Sequence, residues 1–138
     1  MSDENLETLA RIYDAWEQGD FTVGVAAFDQ NATLVIDPDI PDAGVVVGPD
    51  GIRAYMTRFL EAWESLTIAA ESFKDVGDTI LVEVKQTGIG QDSGAPVTLS
   101  YFQLWTFRGG TVIRLESVLH EAKALEAIGL SGQGPKLE

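Results

Sequence analysis

Apolar side chains recur at Leu6, Leu9, Tyr13 and Trp16, a spacing that lays one stripe along a helix over residues 4–18. Acids sit in its first turn, where the helix dipole favours them. Gly19 and Asp20 end the pattern, and "FTVGVAAFD" predicts a short second helix over 21–29 carrying Phe21, Val25 and Phe28. The β-rich run "ATLVI" (32–36) predicts a strand, followed by a loop that reaches Gly48. Pro49 suits a first helical position. Beyond it Ile52, Tyr55, Met56, Phe59, Leu60 and Trp63 form the cleanest amphipathic stripe in the chain.

After Ser65 the period falls from 3.6 to 2. Strands are predicted over 66–75, 79–90, 96–107 and 111–119, joined by the hairpin-type connections "VGD", "QDSGA" and "RGG". "EAKALEAI" closes the pattern as a short helix stopped by Gly129. Helices first and an antiparallel meander afterwards predict an α+β fold, with helices packed on one face of a curved sheet. Gly88, Gly90 and Gly94 fall where such a sheet would have to bend.

Composition narrows the classes of function. The chain has 138 residues, enough for one domain over 1–130, while "SGQGPKLE" (131–138) reads as a flexible tail whose final Leu-Glu is of the kind a cloning remnant leaves. Its formal charge of −13, from 22 acids against 9 bases, repels phosphate backbones and anionic lipid, so neither nucleic acid nor membrane is expected as a partner. No cysteine is present, which removes disulfides, thiolate nucleophiles and zinc–thiolate sites together. The polar, acidic N-terminus lacks a secretory pattern and no apolar run reaches the ~20 residues of a bilayer span, so a cytoplasmic protein is expected.

One loop draws attention to chemistry. "LVIDPDIPD" (34–42) brings together Asp37, Asp39 and Asp42. A calcium loop of the EF-hand type needs glycine at its sixth position and glutamate at its twelfth; counted from Asp37, Asp42 and Gly48 stand there. With a single histidine, His120, and no nucleotide fingerprint, neither a metal nor a nucleotide cofactor is expected.

The order of elements and the strings "ARIYDAWEQGD", "GPDGIRAYMTRFLEAW", "LSYFQLWTFRGGTVIRL" and "ALEAIGL" resemble the SnoaL-like proteins. That family sits within the nuclear transport factor 2-like superfamily, beside polyketide cyclases and ketosteroid isomerase. The resemblance covers about residues 5–130. It implies a cone-shaped, strongly bent, mostly antiparallel sheet wrapped over three N-terminal helices, with a short C-terminal helix, a deep apolar pocket and often a homodimer. It implies little about chemistry, because this superfold hosts many activities.

By the same resemblance, Asp37 matches the general base of ketosteroid isomerase, an aspartate in an Asp-Pro pair after the first strand. An aspartate in an apolar cone is expected to have its pKa raised. The plainer reading is a strand-end aspartate that caps the following turn. Ile12 falls at the place of the isomerase's tyrosine donor, with Tyr13 turned about 100° away on the helix. Gln103 falls where the protonated aspartate stands, and its amide can still donate to a carbonyl. True isomerase activity is therefore not expected. His120 falls where SnoaL-like cyclases keep an acid or base, against the plainer reading of an exposed or helix-capping histidine. An epoxide hydrolase of this superfamily is a third option, and it needs an Asp-Arg-Asp constellation to activate water.

Strand parity sets the expected lining. If Gln103 faces inward, Leu99, Tyr101, Trp105 and Phe107 share its face. On the last strand either Arg114, Glu116, Val118 and His120 or Ile113, Leu115, Ser117 and Leu119 face inward, and the second set makes better core. Tyr13, Trp16, Tyr55, Phe59, Trp63, Tyr101 and Trp105 are the candidate ligand contacts, although aromatic side chains at such spacing are more often core. The expectation is a cofactor-independent pocket for a bulky apolar, ring-containing or polyketide-like molecule. If catalytic, Asp37 or His120 would take a proton next to a carbonyl that Gln103 polarises; the alternative is a non-catalytic binding or dimeric interaction protein.

Overall fold

The structure, a computed structural model, describes residues 2–40 and 43–129. Helix α1 (Ser2–Glu17) opens the chain. Its stripe buries Leu9, Ile12, Tyr13 and Trp16, and Gly19 turns the chain away at φ 85°. The expected second helix over 21–29 is only a three-residue 3₁₀ turn, Val25–Ala27. Local bonds outcompete the helix there. The Asp20 carboxylate accepts from both the backbone N–H and the hydroxyl of Thr22, and the Trp16 indole donates to Val23 O at 3.0 Å. Gly24 at φ 121° completes the break.

Strand β1 (Phe28–Ile36) follows and pairs antiparallel with β2 (Gly44–Val47). Strand β2 lies within the stretch expected to be loop up to Gly48. Its three consecutive valines were the signal for a strand. Helix α2 (Gly48–Glu61) starts with Pro49 in its first turn, as expected. Of its apolar stripe only Ile52 is fully buried, while Tyr55, Met56 and Phe59 are partly covered because they border a cavity rather than solid core.

The meander then runs through β3 (Trp63–Val76), β4 (Thr79–Gly90), β5 (Pro96–Arg108) and β6 (Thr111–Val118). Together they make one six-stranded sheet in the order β2-β1-β6-β5-β4-β3, antiparallel except where β1 runs parallel to β6. Register shifts interrupt β3–β4 twice and β5–β6 once, and the sheet curls. Of the glycines expected to let the sheet bend, Gly88 is the one that its neighbours approach most closely. A Cβ there would lie 2.6 Å from Ser65 O and 2.7 Å from the Trp63 ring.

The main core lies between the inner face of the sheet and helices α1 and α2, with Trp105 at its centre and fully buried. Helix α3 (Glu121–Ala127) covers the opposite face, where Ala124 joins Leu81, Leu104 and Val118. This is the α+β architecture expected, with two α-helices and a 3₁₀ turn in place of three N-terminal helices. The expected tail, 131–138, lies outside the described residues.

An apolar cavity with oriented polar groups

A cavity of about 400 Å³ opens between α2, the 21–28 segment and the inner face of the sheet. That volume sits towards the lower end of the range for small-molecule sites. Phe21, Leu34, Ile52, Phe59, Ile68 and Leu115 supply much of its apolar wall. Val23 and Val97 line it and are more than one-third exposed, so they stand at its mouth. Among the described residues the lining contains no Asp, Glu, His, Lys or Arg.

Of the candidate contacts, Trp16, Tyr55, Phe59, Trp63 and Tyr101 line the cavity, and so does Gln103. Tyr55 and Phe59 stack nearly parallel, 8° apart with ring centroids 6.4 Å apart, because they are one helical turn from each other on α2. Tyr13 and Trp105 are buried behind this wall and do not border the cavity. Strand parity explains the difference only in part. Leu99, Tyr101, Gln103, Trp105 and Phe107 do share the inner face of β5, but α1 covers the Trp105 end of the strand. On β6, Leu115 and Ser117 face the cavity, while Val118 packs with α3 on the other side.

The buried residues behind the wall fix the polar groups in front of it. The Trp105 indole N–H donates to the Tyr13 hydroxyl at 2.7 Å, Tyr13 donates to Gln103 Oε1, and Gln103 Nε2 donates to Ser117 Oγ at 3.2 Å. On the neighbouring strands the Tyr101 hydroxyl donates to Gln86 Oε1 at 2.9 Å. Burial pushes both phenols up, Tyr13 and Tyr101 alike, so each stays a neutral hydroxyl at physiological pH. Gln86 and Ser117 belong to the lining; Gln86 was missed, and Ser117 was placed on one of the two possible inward faces without being given a role. Their signal was parity: Gln86 alternates with Val82 and Val84, and Ser117 with Leu115, as lone polar residues on otherwise apolar faces.

The two proposed bases lie elsewhere. Asp37 is buried at the end of β1, but the cavity stops short of it at its neighbours Ile36 and Ile40. Its Oδ1 accepts from the Asp39 N–H at 3.0 Å, and its Oδ2 meets Lys123 Nζ of α3 at 2.9 Å. The Asp39 N–H first, and then the Lys123 ammonium, hold the Asp37 carboxyl below the usual carboxylate range. Burial opposes them and loses. The expected upward shift is therefore reversed, because a cation and a turn amide reach the carboxylate that the apolar cone was expected to isolate. The Asp39 bond is the turn-capping interaction of the plainer reading.

His120 stands at the N-cap of α3 with extended backbone and no side-chain cap bond. Its ring is 65% exposed and points to Asp39 across 3.8 Å, outside the cavity. Asp42 lies outside the described residues. Among those described, no group of His, Asp and Glu is placed to hold a metal ion, and no helix is long and apolar enough to cross a membrane.

Two N-terminal helices and a curled six-stranded sheet closing on an apolar cavity define a nuclear transport factor 2-like, ketosteroid isomerase-like fold. An NTF2-like protein of unknown function from Burkholderia pseudomallei K96243 superposes with a TM-score of 0.75 at 19% identity, over 91% of this chain and 98% of that one. TerC, co-crystallised with polyporic acid, gives 0.73 at 20% identity over 91% and 98%. A hypothetical protein with a ketosteroid isomerase-like fold from Catenulispora acidiphila DSM 44928, in complex with trimethylamine, gives 0.72 at 16% over 89% and 92%. At such identities the likeness concerns the fold alone. The chain itself belongs to the SnoaL-like domain family, which matches residues 9–115. None of the curated proteins matches it.

Proposed function

We propose that this protein binds a neutral, bulky, ring-containing molecule of polyketide-like character in the cavity, without a cofactor, and holds it rather than transforming it. The lining carries the reading. A cavity of about 400 Å³ with apolar and aromatic walls favours an apolar ligand, and the absence of any charged residue from its described lining disfavours an ionic one. General acid–base catalysis needs a titratable group within hydrogen-bond reach of the substrate, directly or through one water. The polar side-chain groups of the described lining are amides, a serine hydroxyl, two indoles and two tyrosine hydroxyls, with no carboxylate or imidazole to act as base. Gln103 and Ser117, held by the Tyr13 relay, supply the polar contact that orients the ligand.

A second reading keeps the acid–base cyclase or isomerase, with Asp37 as base and Gln103 polarising the carbonyl. It is favoured by Asp37 lying between two cavity residues in the chain, Ile36 and Ile40. It requires α3 to withdraw Lys123 from the carboxylate. A homodimer belongs to either reading.

A thermal-shift screen of polycyclic ketones and polyketides tests the main reading. Saturable stabilisation by apolar ketones is expected, with no chemical change in the recovered compound. A hit that is converted to product, with conversion lost in Asp37→Asn or His120→Ala, establishes the second reading in its place.

A further inference from the structure

The hydrogen bonds behind the cavity have a direction, and the direction says what the ligand carries. An indole N–H can only donate. The Tyr13 oxygen therefore accepts from Trp105, and its single proton goes to Gln103. Gln103 must then present Oε1 to Tyr13, which turns Nε2 towards Ser117. Ser117 Oγ accepts that bond, which leaves its own proton and the second amide proton of Gln103 as two unspent donors at this end of the cavity.

A second pole repeats the arrangement. Gln86 is 5% exposed and lines the cavity. Its Oε1 is taken by the Tyr101 hydroxyl, and its Nε2 has no partner among the described residues. That nitrogen is not fully buried; it stands at the cavity surface, free to donate to a group that enters. The β4–β5 register sets Gln86 opposite Leu99 and Val82 opposite Gln103. The two amides thus stand four residue levels apart, about 13 Å along the strand.

Resting on the binding reading above, we infer that the cavity selects an elongated, neutral ring system with a hydrogen-bond acceptor, such as a carbonyl oxygen, towards each end. One acceptor meets the Gln103–Ser117 pole and the other meets Gln86. With no cation in the described lining, a carboxylate would enter unpaired and is disfavoured.

The test is a ladder of three neutral probes of one shape: biphenyl, 4-acetylbiphenyl and 4,4′-diacetylbiphenyl, titrated calorimetrically into the wild-type protein. Affinity is expected to rise about tenfold with each acetyl group. In Gln86→Leu, with fold verified by circular dichroism, the mono- and diacetyl probes are expected to bind alike, and Gln103→Leu is expected to remove one step in the same way. If biphenyl binds as tightly as the diketone, the two-acceptor inference fails while the apolar binding reading stands. If the ladder persists unchanged in both variants, the amides are not the poles and the inference is again overturned. If none of the three binds, the binding reading falls and takes the inference with it.

Discussion

Replacing Tyr13 by phenylalanine isolates one atom of the relay. The phenyl ring keeps its edge contacts with Trp16, Phe73 and Trp105, at centroid distances of 5.3, 5.9 and 5.9 Å. Only the hydroxyl is lost. Trp105 is fully buried, and its indole N–H is then left without an acceptor. Gln103 can recover by rotating its amide so that Oε1 accepts from the Ser117 hydroxyl. The unavoidable cost is thus one orphaned buried donor at about 1–3 kcal/mol, plus the net worth of a second bond at about 1 kcal/mol. A total of about 2–4 kcal/mol is expected. For a chain of 138 residues this lowers Tm by roughly 7–14 °C, from about 2.1 cal/mol/K of unfolding entropy per residue. Urea titration should show a lower midpoint at unchanged slope. The double variant Tyr13→Phe/Gln103→Leu should be at least ~1 kcal/mol less destabilised than the sum of its singles, because both singles lose the Tyr13–Gln103 bond and Tyr13→Phe removes the hydroxyl that Gln103→Leu strands. A loss below ~0.5 kcal/mol in Tyr13→Phe, or strict additivity, would refute the relay.

The Asp37–Lys123 pair makes stability depend on acid. Because the folded-state pKa of Asp37 is lowered, its contribution is present above its ordinary value near 4 and is lost as pH falls through the folded value. The stability gap between wild type and Asp37→Asn should therefore narrow below about pH 4; a gap constant from pH 7 to pH 2 would contradict the pairing. Lys123→Met should raise the Asp37 pKa, followed by carboxyl NMR, and quicken amide exchange across Glu121–Ala127. Unaltered exchange would show that this ion pair does not tether α3. Gly88→Ala drives a methyl against Ser65 O and the Trp63 ring, with an expected cost of about 1–3 kcal/mol in urea unfolding. A neutral result would mean that the β3–β4 bend does not need glycine.

What the sequence makes legible here follows from which interactions are local. The inner face of β5 could be read from residues 99 to 107 because successive side chains of a strand must point to opposite sides. The same rule placed Leu115 and Ser117 on one face and Arg114 and Glu116 on the other, but left open which face lines the cavity; the structure puts Leu115 and Ser117 there. Depth along the strand was not legible. Tyr101 touches the cavity while Trp105, four residues on, does not, and the difference is made by α1, whose placement is tertiary. The false second helix shows a local contest decided by small terms: Phe21, Val25 and Phe28 keep helical spacing, but the Asp20–Thr22 bonds and Gly24 favour a turn. Asp37 is the sharper case. Its position after the strand was readable, and so was the option that it caps a turn through the Asp39 N–H, the larger cause of its lowered pKa; the second cause was not, because the Lys123 ammonium lies 86 positions later and arrives from the helix on the other face of the sheet. A carboxylate's chemistry depends on the nearest opposite charge as much as on its own burial. In this chain the Asp39 N–H and the Lys123 ammonium together move Asp37 away from base strength, and the polar work of the cavity falls to amides and hydroxyls.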